Sequence, residues 1–168
     1  FLSDLPIENG KITLNKNVVD HSLMGHYGNV MFVNGEESYT LHAKQGEIVR
    51  LYVINSANVR PFNFALKGLK MKLVGGDSGA YEEYRFVDSV LLGPSERAVI
   101  DVLLPNAGSY EIQNKTPNKT YVLGNIIVGA EKTSLSYENE FNILQKNSDT
   151  IKSIDPFRSY FTKVPDKN

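Results

Sequence analysis

The run Gly46-Glu47-Ile48-Val49-Arg50-Leu51-Tyr52-Val53-Ile54-Asn55-Ser56-Ala57-Asn58-Val59-Arg60-Pro61-Phe62-Asn63-Phe64-Ala65-Leu66 decides the fold class of this chain. Within Glu47 to Asn55, Val49, Leu51 and Val53 fall on one side, while Ile48, Arg50, Tyr52 and Ile54 fall on the other. After the break, Phe62, Phe64 and Leu66 alternate with Asn63, Ala65 and Lys67. A period of two in β-branched and aromatic residues is the pattern of strands with one face on a core.

The same period extends both ways. Before the run, Tyr39, Leu41 and Ala43 share a face opposite Thr40, His42 and Lys44. After it, Leu69, Met71 and Leu73 alternate with Lys70 and Lys72, and Gly68 between the two runs fits a tight turn or a bulge. Phe86 to Leu92, Arg97 to Leu104, Tyr110 to Gln113 and Tyr121 to Val128 read as further strands. They are separated by Gly93-Pro94, Pro105-Asn106-Ala107-Gly108 and Thr116-Pro117-Asn118. Short strands at this spacing predict an all-β sandwich.

The two ends lack that regularity. In residues 1–27, Glu8-Asn9-Gly10 reads as a turn and Lys11 to Leu14 as a short strand, but Asn17 to Tyr27 has no clear period, so this is read as a lead-in segment. Residues 28–129 form the sandwich, and 130–168 are read as a tail or connector towards a following domain. The tail has a short helix around Asp149 to Ile154 and aromatics that pack on a neighbouring surface. Beginning at Phe1 without an apolar leader, the chain reads as a piece of a longer polypeptide.

Composition excludes several classes of function. With 168 residues, 41% apolar and 22% charged, the chain is an ordinary globular one. Folding should bury roughly 70% of its extended surface. A net charge of −1 and scattered lysines give no reason to expect nucleic acid or an anionic membrane as partner. No apolar run approaches the ~20 residues of a membrane span. The absence of cysteine removes disulfides, thiol nucleophiles and thiolate metal sites together.

Few residues are candidates for chemistry. His21, Met24 and His26 carry donors that suit copper(I), but spacings of three and two converge only in a particular turn, and a fourth donor is missing. The plainer reading is a polar lead-in with Met24 as packing, and an exposed or interface His42. Gly76-Asp77-Ser78-Gly79 has the form of a serine nucleophile loop, yet His42 lies too near in sequence to be a base carried on a separate barrel. It reads instead as a turn in which Asp77 or Ser78 caps backbone amides and the glycines take positive φ. Asp77, Glu82, Glu83 and Asp88 are acidic neighbours without the ligand spacing of a calcium loop. Arg50, Arg60, Arg85 and Arg97 are expected to pair with Glu47, Asp77, Asp88, Glu96 or Asp101. Asn114-Lys115-Thr116 and Asn118-Lys119-Thr120 match the glycosylation pattern and are read as polar turns.

Four strings carry a resemblance. GHYGNVMFVNGE (Gly25 to Glu36), GEIVRLYVINSANVRPFNFAL (Gly46 to Leu66), MKLVGGDSGAYE (Met71 to Glu82) and VDSVLLGPSERAVIDVLL (Val87 to Leu104) occur in this order. Together they resemble the middle cupredoxin domain of three-domain multicopper oxidases, the laccase-like family. DPFRSYFTKVPD (Asp155 to Asp166) is similar to the linker that enters the third domain of such enzymes.

The resemblance implies a cupredoxin-like Greek-key β-sandwich. In that family the first and third domains supply the coppers through His-x-His pairs and a Cys–His–Met set, and the middle domain binds none. It therefore implies no cofactor in this chain, copper in the parent, and flanking cupredoxin domains as partners. The parent would couple one-electron oxidation of a substrate to reduction of oxygen to water, outside the cytoplasm, while this piece is inert by itself. An aspartate that holds phenols in fungal laccases has Ala57 and Asn58 at about its position here, so phenol specificity does not carry over. Removing the partners would leave an apolar patch that promotes self-association. The competing expectation is an independent recognition or structural sandwich, because this fold hosts unrelated functions.

Overall fold

The computed structural model describes residues 1–13 and 23–161. Thirteen strands are present among them: β1 (Leu2–Leu5), β2 (Ile7–Glu8), β3 (Lys11–Ile12), β4 (Val30–Val33), β5 (Tyr39–Gln45), β6 (Ile48–Ile54), β7 (Phe62–Leu66), β8 (Met71–Gly76), β9 (Gly79–Val87), β10 (Val90–Leu92), β11 (Arg97–Leu103), β12 (Gly108–Lys115) and β13 (Thr120–Lys132). Short helices follow at Glu138–Asn142, Ser148–Ile154 and Arg158–Phe161, with a 3-10 turn at Asp155–Phe157. None of the described helices is long and apolar enough to cross a membrane.

Two sheets face each other, one of five strands in the order β10-β7-β12-β13-β5 and one of four in the order β6-β11-β8-β9. All pairings are antiparallel except β13 with β5. The alternation read in Glu47 to Asn55 sets the register of β6 on β11. Val49, Leu51 and Val53 stand opposite Val102, Ile100 and Ala98, and Arg50 stands opposite Asp101. Ile100 and Val102 are wholly buried, as are Phe62 and Met71, so the apolar sides of both sheets meet in one core. The chain is thus the all-β sandwich expected of its sequence.

Several elements differ from the sequence reading. Phe86 to Leu92 is two strands and not one: β9 ends at Val87 in the four-stranded sheet, and β10 begins at Val90 in the five-stranded sheet. Asp88 and Ser89 carry the chain between layers, a break that a run of apolar residues on both sides conceals. β9 also starts earlier, at Gly79, because its polar residues pair at a sheet edge without needing an apolar face. β13 runs to Lys132, past Gly129, where pairing with β5 continues over exposed residues. Leu2–Leu5 pairs with Val30–Val33, and Leu2 enters the core. The turn at Asn9-Gly10 takes the two positive φ values of a tight hairpin and joins β2 to β3.

Candidate functional site

The candidate copper donors are not gathered. His21 lies outside the described residues. Met24 is 79% exposed, contrary to the packing role expected of it, and the His26 backbone N–H donates to Asn58 Oδ1 at 3.2 Å. No three histidine, aspartate or glutamate side chains among the described residues are placed to share a metal ion. With no cysteine in the whole chain, this donor set does not fit a blue-copper centre, which needs a thiolate beside two imidazoles. His42 is exposed on β5 in the five-stranded sheet, whereas Ser78 sits in the β8–β9 turn of the other sheet. Those two do not form a nucleophile and base.

The β8–β9 turn is fixed by close backbone approach and one ion pair. Gly79 takes φ +102, and a Cβ on Gly75 would come within 2.7 Å of the Gly79 carbonyl. Gly75 and Gly76 keep negative φ, so only one glycine of the loop needs the left-handed region. Asp77 accepts from Arg97 Nε at 2.8 Å, and this guanidinium holds its carboxyl below the usual carboxylate range. Of the other acidic neighbours, Glu82 pairs with Arg158 and Glu83 with Lys146, while Asp88 has no ion pair among the described residues. Of the four arginines, Arg50 pairs with Asp101 through two hydrogen bonds and Arg97 with Asp77. Arg60 reaches Asp4 in the lead-in segment, a partner outside the expected set, and Arg85 has no ion pair among the described residues.

That Arg60 contact ties the lead-in to the sandwich. Arg60 Nε donates to Asp4 Oδ2 at 2.7 Å and its Nη2 donates to the Gly28 carbonyl at 2.6 Å, while the Gly28 N–H donates to the same Asp4 oxygen. Asp4 is buried, and its Oδ1 has no hydrogen-bond partner among the described residues. The neighbouring Asn55 is the hub of the 55–60 loop. Its Nδ2 donates to the carbonyls of Arg60 and Leu92, and its Oδ1 accepts from Ala57 N–H. Nothing in the alternation marks Asn55 as wholly buried; an asparagine directly after an apolar strand and before a turn is the only available signal. Asn114 is also fully buried, accepting from Asn63 N–H, so its amide is not offered for glycosylation, whereas Asn118 is exposed.

The tail docks on the outer face and free edge of the four-stranded sheet. Phe141 is 3% exposed, its ring 5.6 Å from that of Phe86. Beneath it, Lys72 projects from the outward side of β8, its ammonium donating to the carbonyls of Glu140 and Ile143 at 3.1 Å each and lying over the Phe141 ring. Burial pushes the Lys72 ammonium below its ordinary pKa. Residues 145–147 then pair with the edge of β9: Tyr84 N–H donates to Gln145, and Asn147 N–H donates to Glu82. The expected packing of tail aromatics holds for Phe141, while Phe157 and Tyr160 stay 59% and 78% exposed. Between the β8–β9 hairpin and the helix Ser148–Ile154 lies an open cleft of about 950 Å³, lined by Tyr81, Tyr84, Arg85 and Arg158 among others. Within that lining Glu82 pairs with Arg158, and Asp77 pairs with Arg97.

A family model described as multicopper oxidase matches residues 6–139. Among solved structures, a laccase-like multicopper oxidase from Ochrobactrum sp. aligns with TM-score 0.70 at 22% identity over 80% of this chain and 31% of its own. A multicopper oxidase from Pseudomonas thermotolerans gives 0.68 at 22% identity, covering 86% of this chain and 34% of its own. One from Campylobacter jejuni, described as a metallo-oxidase, gives 0.66 at 25% identity over 87% and 31%. The chain therefore spans about a third of the length of these structures, which have further domains beside the matching one. No curated protein sequence matches the chain.

Proposed function

The chain belongs to the multicopper oxidase family, and on that premise we propose that it is the copper-free middle cupredoxin domain of a three-domain parent. The parent couples one-electron oxidation of its substrate to the reduction of oxygen to water. This domain takes no electrons: that role needs a redox-active metal, and no group of three histidine, aspartate or glutamate side chains is gathered among the described residues to hold one. Its work is geometric: it spaces and orients the copper domains on either side. Residues 28–129 are the body of that spacer, and residues 130–168 are the connector that leads onward.

The observation that carries this reading is the combination of a multicopper-oxidase sandwich with no cysteine in 168 residues and scattered histidines. The docked tail supports it, since Lys72, Phe141 and the β9 edge fix the direction in which the connector leaves. Sequencing the parent gene on both sides of this segment tests it. His-x-His pairs upstream and a His–Cys–His cluster downstream are expected; their absence from both sides overturns the proposal. Titrating the purified chain with copper(II) should give no stoichiometric site and no intense blue band, since thiolate-to-copper charge transfer requires a cysteine. A stoichiometric site would contradict the inert role.

A further inference from the structure

Asn-Gly occurs at Asn9-Gly10 and at Asn34-Gly35, and the two pairs share a backbone conformation while differing in how firmly they are held in it. Asn9 and Gly10 take φ +52 and +73 at the tip of the β2–β3 hairpin, and Asn34 and Gly35 take φ +53 and +84 in the turn after β4. Both asparagines are exposed, and a Cβ at either glycine would meet nothing within 4 Å, so each turn projects into open space. The turn at Asn34 is pinned. Val33 and Glu36 exchange both backbone hydrogen bonds across it, at 2.9 and 3.0 Å, β4 pairs with β1 over four residues, and Val33 is buried. The tip at Asn9 is not. β2 and β3 share two residue pairs, Ile7 with Ile12 and Glu8 with Lys11, and the Asn9 side chain has no hydrogen bond among the described residues. The base of this hairpin is tied, by Thr13 to the Pro6 carbonyl and by Asn29 to both backbone groups of Ile7, so the part that opens by itself runs from Glu8 to Lys11.

We propose that Asn9 is a site of spontaneous modification, converted through a cyclic imide to aspartate and isoaspartate well before Asn34. The Gly10 backbone nitrogen attacks Asn9 Cγ, the bond from Cγ to the side-chain nitrogen breaks, and ammonia leaves, taking up the equivalent of the proton that Gly10 gives up. Water then opens the ring. Attack at Cγ yields aspartate, and attack at the main-chain carbonyl yields isoaspartate, in which the chain runs through Cγ. Glycine favours ring closure because no Cβ crowds the attacking nitrogen. The five-membered ring fixes the asparagine ψ well away from its left-handed value, so closure proceeds from the opened turn. A hairpin of two short strands is marginal in water, and its opening costs far less than opening a strand anchored in the core. Conversion places a carboxylate beside Glu8, and isoaspartate adds a methylene to the backbone, which breaks the register of Glu8 with Lys11. The Asp4–Arg60 anchor of the lead-in lies outside the segment that changes.

The experiment ages the purified chain at mildly alkaline pH, folded in one sample and unfolded in guanidinium chloride in another. Peptide mass spectrometry follows loss of the amide at each asparagine, and enzymatic methylation of isoaspartate gives a second readout. In the folded chain Asn9 should convert at least about tenfold faster than Asn34, which corresponds to about 1.4 kcal/mol less free energy for opening its turn. In denaturant the two rates should come together, since each asparagine then precedes glycine in an open chain. Asn9→Gln lengthens the side chain and disfavours the five-membered ring, so it should remove most of the isoaspartate signal and leave the Asn34 rate unchanged. No conversion at Asn9 in the folded chain, or conversion at Asn34 as fast as at Asn9, would overturn the proposal. So would the same rate ratio in denaturant as in the folded chain, because neighbouring sequence and not the hold on the turn would then set it.

Discussion

Replacing Phe141 by alanine should release the tail without unfolding the sandwich. The ring is almost wholly buried against Phe86 and the Lys72 ammonium, but what it holds is a short helix on the outside of a sheet and not the interior between sheets. Phe→Ala in a core costs about 3–5 kcal/mol, and the thin layer here argues for the lower end, about 3 kcal/mol. At roughly 1.4 kcal/mol per decade, that raises the open population of the tail about 100-fold. Native-state hydrogen exchange reads this at two amides whose hydrogen bonds form only when the tail is docked: Tyr84 N–H, bonded to Gln145, and Asn147 N–H, bonded to Glu82. Both should lose about two orders of magnitude of protection, while amides between β11 and β6 keep theirs. Unchanged protection at Tyr84 and Asn147 would refute the docking argument. An equal loss in β11 would refute its independence, because the tail would then belong to the same cooperative unit as the core.

Three further outcomes follow from the contacts. Because burial holds the Lys72 pKa below its ordinary 10.5, the unfolded chain binds more protons between the folded value and 10.5, so stability rises with pH through that window and is lost as pH falls through the folded value. Denaturation midpoints measured from neutral to about pH 11 should show that slope, and Lys72→Met should flatten it. Arg60→Ala leaves the Asp4 carboxylate buried without its cation and should cost about 3 kcal/mol in urea unfolding, part of which Asp4→Ala in the same chain restores. Gly124→Ala would drive a Cβ into the Tyr39 carbonyl where β13 meets β5, and a loss of about 2 kcal/mol or more is expected by the same assay.

How much of this was legible in the sequence depended on whether a residue's role is repeated along the chain. Alternation located β5, β6, β7, β8 and β11 because each presents one face to the core and one away from it. It failed at β9 and at the end of β13, where strands run along an edge or past the core and no apolar face is needed. It misjudged Phe86 to Leu92 because residues that cross between sheets can stay apolar on both sides of the crossing. The arginine pairs were half legible: Arg50–Asp101 and Arg97–Asp77 fell within the expected set, while Arg60–Asp4 spans 56 residues and depends on where the lead-in returns.

By itself, the sequence determined the class of the fold and the chemistry that is ruled out. Period-two patterning in short, evenly spaced strands is that of an all-β fold packed on one face, and a chain without cysteine cannot build a thiolate copper site whatever its shape. Only the tertiary structure decided that Lys72 lies beneath the tail, that Asn55 and Asn114 are internal, and that Arg60 reaches back to a buried Asp4. Those properties arise between segments distant along the chain. Burial of a polar group or closure of a sheet edge is fixed by what another segment brings to it, and local pattern carries no record of that partner.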